Sequence, residues 1–303
     1  MSSIAYVTDE KMIEYHRLCG SRTMNFWRLS SKKEFTDFRK GDLLFFYSRG
    51  RHSRKKGFVG YAHYAGAHKM SVKQMWNRYG TENGYDSMKN LEDAIRRTAK
   101  DRPIPEKMNC LYLTDAVFFQ SPVYPEEAGL DINEKLESYC YLDKNNPQVT
   151  VKILRLAERN GIDLWSASQT FEPVDVFRQD EFRHNLAVIS TIIGKEGWNQ
   201  KETARAKKLA QMKVSEEGWE YIRSSRTDCL NLTRDKAVIA VPFISQAKNR
   251  QLRITELIGK IELYRLYLKM AGGYSGAVEF EILYETEPGD LLRLIEDINH
   301  EGL

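Results

Sequence analysis

Residues 25–64 read NFWRLSSKKEFTDFRKGDLLFFYSRGRHSRKKGFVGYAHY. Leu43, Leu44, Phe45, Phe46 and Tyr47 form an unbroken apolar run, the pattern of a strand covered on both faces. Phe58 to Tyr64 supplies a second strand, with Gly60 where another backbone can come close. Gly41-Asp42 marks a turn before the first strand, and Arg49, Arg51, Arg54, Lys55 and Lys56 crowd the loop between the two. Buried strands joined by a cationic loop predict a small β-barrel that faces a polyanion.

Outward from this stretch, the chain has 303 residues, a length that predicts about two domains. With 42% hydrophobic and 29% charged residues it reads as an ordinary globular protein. The net charge of +4 is unevenly spread. Residues 1–166 hold 27 Lys and Arg against 21 Asp and Glu, a net of +6, and the rest of the chain holds 19 against 21. An anionic partner is therefore expected at the N-terminal half. No run of about 18 apolar residues predicts a membrane helix, and MSSIAYVTDEK lacks the basic and apolar regions of a signal peptide. Cys19, Cys110, Cys140 and Cys229 have no paired spacing. Reduced thiols in a cytoplasmic protein are the expectation.

Periodicity orders the elements. Ile4–Val7 reads as a strand, Asp9 as the cap of a helix, and Ser30 or Ser31 as the cap of a short helix through Phe38 that stops at Gly41. Ser71 and Ser87 open two further helices, Cys110–Phe119 is strand-like, and the helix from Pro147 to Asn160 closes a first α+β domain over 1–166. From 167 to 303 the texture predicts a second α+β domain. Its helices fall at 179–193 and 199–222, with a strand at Ala237–Val241, a long helix from Asn249 to Met270, a strand at Ala277–Tyr284 and a last helix capped by Asp290.

The ordered series NFW, then KGDLLFFYS, then VGYA resembles the EVE-like members of the PUA-like superfamily, relatives of the YTH and ASCH domains. The likeness covers the first half only. It extends to a helix with Trp76, Tyr79-Gly80 and Asn83-Gly84, and to CLYLTDAVFFQSPVYPEEAGL. It implies a PUA-like barrel with flanking helices that accommodates a nucleic-acid base, often a modified one, and a setting such as restriction of foreign DNA in anti-phage defence. The basic loop after Ser48 is longer and more charged than the family pattern.

An extruded base needs stacking faces and a few edge groups. Phe26, Trp27, Tyr47 and Trp76 offer faces, and Asn25, Arg28, Ser30 and Ser48 offer edges. For each aromatic the plain alternative is a place in the core. Arg49, Arg51, Arg54, Lys55 and Lys56 suit successive phosphates, with DNA expected over RNA, whereas Lys201, Arg205, Lys207, Lys208 and Lys213 read as a solvated helix face. No catalytic or cofactor motif stands out, and neither histidine spacing nor a phosphate loop marks a site. The alternative is a modification-dependent nuclease. The strand–helix–strand of the second half resembles the tail of a PD-(D/E)xK core, which would need Mg2+ held by carboxylates and a lysine. Only Asp235, Glu279 and Glu281 offer themselves, and Ala240 and Pro242 stand where Glu and Lys belong. Expected partners are nucleic acid, no membrane, and a second copy of the chain through the second domain.

Overall fold

A computed structural model describes residues 3–29, 35–49, 55–100, 102–133, 135–164, 173–272 and 274–302. The chain divides into two units, Ser2–Phe177 and Arg178–Leu303.

In the first unit, six strands form one sheet in the order β2-β5-β4-β3-β1-β6. They are β1 (Ser3–Val7), β2 (Met24–Arg28), β3 (Leu43–Arg49), β4 (Lys56–Met70), β5 (Met108–Val123) and β6 (Tyr139–Tyr141). β1 and β3 run parallel, so the chain between them must cross over, and α1 (Glu10–Leu18) lies on that path. All the other pairings are antiparallel. The apolar run of β3 is central, and its side chains alternate between two cores. Leu44 and Phe46 join Met24, Phe26, Met75, Leu91 and Ile95. Phe45 packs instead on Phe58 and Tyr61, with ring centroids 5.7 and 5.5 Å apart. The first core is closed by α2 (Val72–Tyr79) and α3 (Met88–Ala99), and α4 (Gln148–Asn160) buries Val151, Ile153, Leu154 and Ala157.

The expected small β-barrel does not close among the described residues. β2 and β6 are the sheet's edges, and among the described residues no hydrogen-bonded pairing joins them. Instead the sheet curls. Register breaks along the β4–β5 pair at Phe58/Gly60, Tyr61/His63 and Tyr64/Gly66 add twist and bend. The curl brings Tyr6 of β1 edge-on to Phe26 of β2, 4.8 Å between centroids, although three strands separate them in the sheet. Gly60 sits at the tightest point: a Cβ there would lie 2.4 Å from the Val117 carbonyl oxygen. β5 also runs on through Gln120–Val123, where a turn was expected, because Val123 still pairs with Phe58.

Local signals hold well. Asp9 accepts from Met12 N at 3.0 Å as the cap of α1, Ser71 and Gln74 form a reciprocal capping box, and Ser87 caps α3. The expected cap at Ser30 or Ser31 lies outside the described residues, and from Phe35 to Gly41 the chain runs as bends and a turn rather than a helix.

The second unit is a four-stranded sheet, β10-β9-β8-β7. Its strands are β7 (Trp219–Tyr221), β8 (Cys229–Leu232), β9 (Lys236–Pro242) and β10 (Ala277–Leu283). Its helices are α5 (Pro173–Ile193), whose first turn precedes the unit, α6 (Gln200–Val214), α7 (Arg250–Ala271) and α8 (Asp290–Glu301). The helix expected to reach residue 222 stops at Val214. Gly218, at a φ of 81°, makes the turn into β7. β9 and β10 run parallel with α7 as the crossover, and Phe182, Leu230, Ile239, Ile261 and Phe280 form the core. Gly289 rather than Asp290 stands at the cap of α8. Among the described residues no helix is long and apolar enough to cross a membrane.

Candidate nucleic-acid interface

A strand sends successive side chains to opposite faces, and that splits the Asn25–Arg28 group. Asn25 and Trp27 point one way. Asn25 is fully buried, and its Nδ2 donates to Asn83 Oδ1 at 2.8 Å, while Asn83 donates to the Met75 and Gly80 carbonyls at 3.1 and 2.7 Å. Trp27 is buried, in a cluster that also holds Phe26 and the apolar residues of α2 and α3. Phe26 and Arg28 point the other way, and there the rings of Tyr6, Phe35 and Tyr139 gather around them.

The Arg28 guanidinium lies 4.4 Å from the Phe35 ring centroid and 6.0 Å from that of Tyr6, within cation–π range. Tyr139 of β6 stacks on Tyr6 at 5.8 Å and meets Phe35 edge-on at 4.8 Å. Phe38 and Tyr64 continue the lining, 4.9 Å apart. Burial raises the Tyr6 phenol above its ordinary value, with Arg28 opposing, so the hydroxyl stays protonated. Three buried polar atoms of this one strand have no hydrogen-bond partner among the described residues: Asn25 Oδ1, Trp27 Nε1 and Arg28 Nε. Buried polar groups are nearly always satisfied, so such a cluster calls for an explanation.

The remaining predicted residues are placed as follows. Tyr47 is buried against Phe58 at 5.6 Å and offers no free face. Ser48 is buried too and donates to the Thr8 carbonyl at 3.1 Å. Trp76 is half-buried on the α2 side of the core. Arg49 stands exposed at the end of β3. Lys55 pairs with Glu126 and lies 5.5 Å over the Tyr124 ring, and Lys56 reaches the Leu136 carbonyl at 3.4 Å. Both lysines thus hold their own protein. Ser30, Arg51 and Arg54 lie outside the described residues. Tyr6, Phe35 and Tyr139 were missed, because nothing local brings positions 6, 35 and 139 together. The alternation of Tyr139-Cys140-Tyr141 was the one available hint.

Beside Arg49 opens a groove of about 750 Å3 between α1 and the ends of β3, β4 and β5. None of Tyr6, Arg28, Phe35 and Tyr139 lines it.

In the second unit the three candidate carboxylates do not converge. Glu279 pairs with Lys236 at 2.7 Å and Glu281 with Lys213 at 3.0 Å, while Asp235 sits in the turn before β9 and its carbonyl accepts from Ala277 N. Among the described residues no group of three His, Cys, Asp or Glu is placed to hold a metal ion. These residues therefore do not fit Mg2+, and no step through a metal follows. What this unit does bury is a satisfied ionic cluster. Lys260 Nζ bonds Asp228 Oδ1 at 2.7 Å and also reaches Glu196, and Tyr264 donates to Asp228 Oδ2 at 2.8 Å.

No protein-family model matches the chain, and no curated protein matches it. Among solved structures it is similar to ASCH from Zymomonas mobilis, at 14% identity over 51% of this chain and 94% of that one, with a TM-score of 0.36. A tyrosine-to-phenylalanine mutant of that protein gives 16% identity, 52% and 99% coverage and a TM-score of 0.37. At this identity and overlap the likeness carries no functional assignment.

Proposed function

We propose that the first unit is a PUA-like, EVE-like nucleic-acid-binding module that takes an extruded base into the hollow around Arg28. The observation behind this reading is the edge of β2. An arginine guanidinium lies on Phe35 in a cluster of rings that includes Tyr6 and Tyr139, with its Nε unpaired among the described residues. Guanidinium planes and aromatic faces are the two surfaces on which proteins stack bases, and each stacked base contributes about 1–3 kcal/mol. The base stacks on Phe35 where Arg28 now lies, and Arg28 donates to its edge. Arg49, Arg51 and Arg54 meet the phosphates, and DNA is the favoured polymer. Discrimination of a modified base, and with it a part in restricting foreign DNA, is the finer form of this proposal. The second unit is assigned to assembly with another copy of the chain, on the apolar solvent side of α7 that carries Leu252, Leu266 and Met270.

Phe35→Ala tests the base site by fluorescence anisotropy on matched modified and unmodified oligonucleotides. Phe35 is only half-buried, so the fold should survive, whereas Trp27→Ala would open a core cavity costing about 3–5 kcal/mol. Binding should weaken about tenfold, most for the preferred base. Wild-type affinity and preference in Phe35→Ala would place the base elsewhere. For assembly, Leu266→Glu should lower the mass seen by light scattering; an unchanged mass would sink that part.

A further inference from the structure

The groove beside Arg49 shares only that residue with the site just described. It is lined by Ile13, Val59, Phe119 and Pro122, by the Gln120 amide, and at its rim by Lys11 and Arg49. Its volume of about 750 Å3 falls inside the range of about 300–1,000 Å3 typical of small-ligand clefts. The lining carries three cations, Lys11, Arg17 and Arg49, and three carboxylates, Glu10, Glu14 and Asp163. Arg17 is consumed by its neighbours: it binds both oxygens of Glu14, at 3.0 and 2.8 Å, and Asp163 at 2.7 Å. One guanidinium offsets one of these two carboxylates, so the trio keeps a net charge of −1, and the exposed Glu10 is a further carboxylate of the lining. Lys11 and Arg49 differ, for both are exposed and neither has a carboxylate partner among the described residues. α1 sets this arrangement. It turns Met12 and His16 inward and lays Lys11, Glu14, Tyr15 and Leu18 along the groove.

We infer that this groove is a binding site for a nucleoside phosphate. The base lies against Ile13, Val59, Phe119 and Pro122, the Gln120 amide offers a donor and an acceptor to its edge, and the phosphate meets Lys11 and Arg49. A flat apolar body next to one anionic group is the ligand shape that these elements match together. A purely apolar ligand would leave the two rim cations unanswered, and inorganic phosphate alone would leave the apolar wall wet. The nucleotide comes either from the strand held at the aromatic hollow or from solution, and the chemistry of the groove is the same for both.

The test is isothermal titration of the full chain with the four ribonucleoside monophosphates, the matching nucleosides and inorganic phosphate. At least one monophosphate should bind, and more tightly than its nucleoside or than phosphate alone. The double charge reversal Lys11→Glu/Arg49→Glu should weaken it tenfold or more. Both positions are exposed, so the fold is not at risk. Phe35→Ala, which empties the aromatic hollow, should leave monophosphate affinity unchanged while weakening oligonucleotides. Competition of a short single strand with the monophosphate would identify the strand as the source, and absence of competition would identify the free nucleotide. No monophosphate binding, or affinity untouched by the double reversal, overturns the inference. Loss of monophosphate binding in Phe35→Ala overturns it as well, yet leaves the base-binding proposal standing. Monophosphate binding without any oligonucleotide binding does the reverse.

Discussion

His16 should make the first unit acid-sensitive, and His16→Met should remove the effect. The imidazole is completely buried on the inward side of α1, and neither ring nitrogen has a hydrogen-bond partner among the described residues. It packs against Met12 and the backbone of Gly84, where a Cβ would come 3.0 Å from Nε2. Burial without a counter-charge lowers its pKa from 6.5 to about 4. In the unfolded chain the same ring takes up a proton near 6.5, so between 6.5 and about 4 the unfolded state holds more protons. Stability is then full above 6.5 and falls as the pH drops through that window. At about pH 5 the loss is about 2 kcal/mol, rising to about 3 kcal/mol below the folded pKa. For a unit of this size 2 kcal/mol moves the thermal midpoint by about 5 °C. The assay is urea unfolding of wild type and His16→Met at about pH 7.5 and about pH 5. Carboxylates titrate in both proteins, so the difference between the two pH responses isolates His16. Methionine is unbranched and apolar and fills irregular space, which keeps the α1 register. If wild type loses no more stability than His16→Met on acidification, the ring is solvated or hydrogen-bonded and the reasoning fails.

Other expected outcomes follow from the same geometry. Gly60→Ala forces a methyl group against the Val117 carbonyl at 2.4 Å; overpacking of this kind costs about 1–3 kcal/mol, and an unchanged denaturation midpoint would contradict the close β4–β5 approach. Lys260→Met strands the buried Asp228 carboxylate; breaking one half of such a pair costs about 3–5 kcal/mol, which calorimetry should show as a large fall in the unfolding temperature. Arg49→Gln should lower the log–log salt slope of DNA binding by about 0.9, whereas Lys55→Gln should barely change it, since Lys55 is committed to Glu126. Equal slope changes for the two would mean that the Lys55 pair opens on binding.

Much of the architecture was legible in the chain itself, because it rests on short-range physics. The buried character of Leu43–Phe46 follows from its unbroken apolar run, and Asp9, Ser71 and Ser87 are the caps they were expected to be. The long helix of the second unit follows from a period that is read within a few turns. The cations of the Arg49–Lys56 loop were also readable, since residue type alone decides them. What the chain could not disclose is what depends on pairing between distant strands. Whether the first sheet closes or only curls depends on pairing between strands far apart in the chain, where β4 and β5 carry three register breaks. Asn25, Phe26, Trp27 and Arg28 looked like one pocket, but strand alternation sends Phe26 and Arg28 to the opposite face from Asn25 and Trp27. Only the curl brings Tyr6, Phe35 and Tyr139 to Arg28. The groove beside Arg49 exists for the same reason: its walls come from α1, β3, β4 and β5, and only tertiary packing sets their spacing.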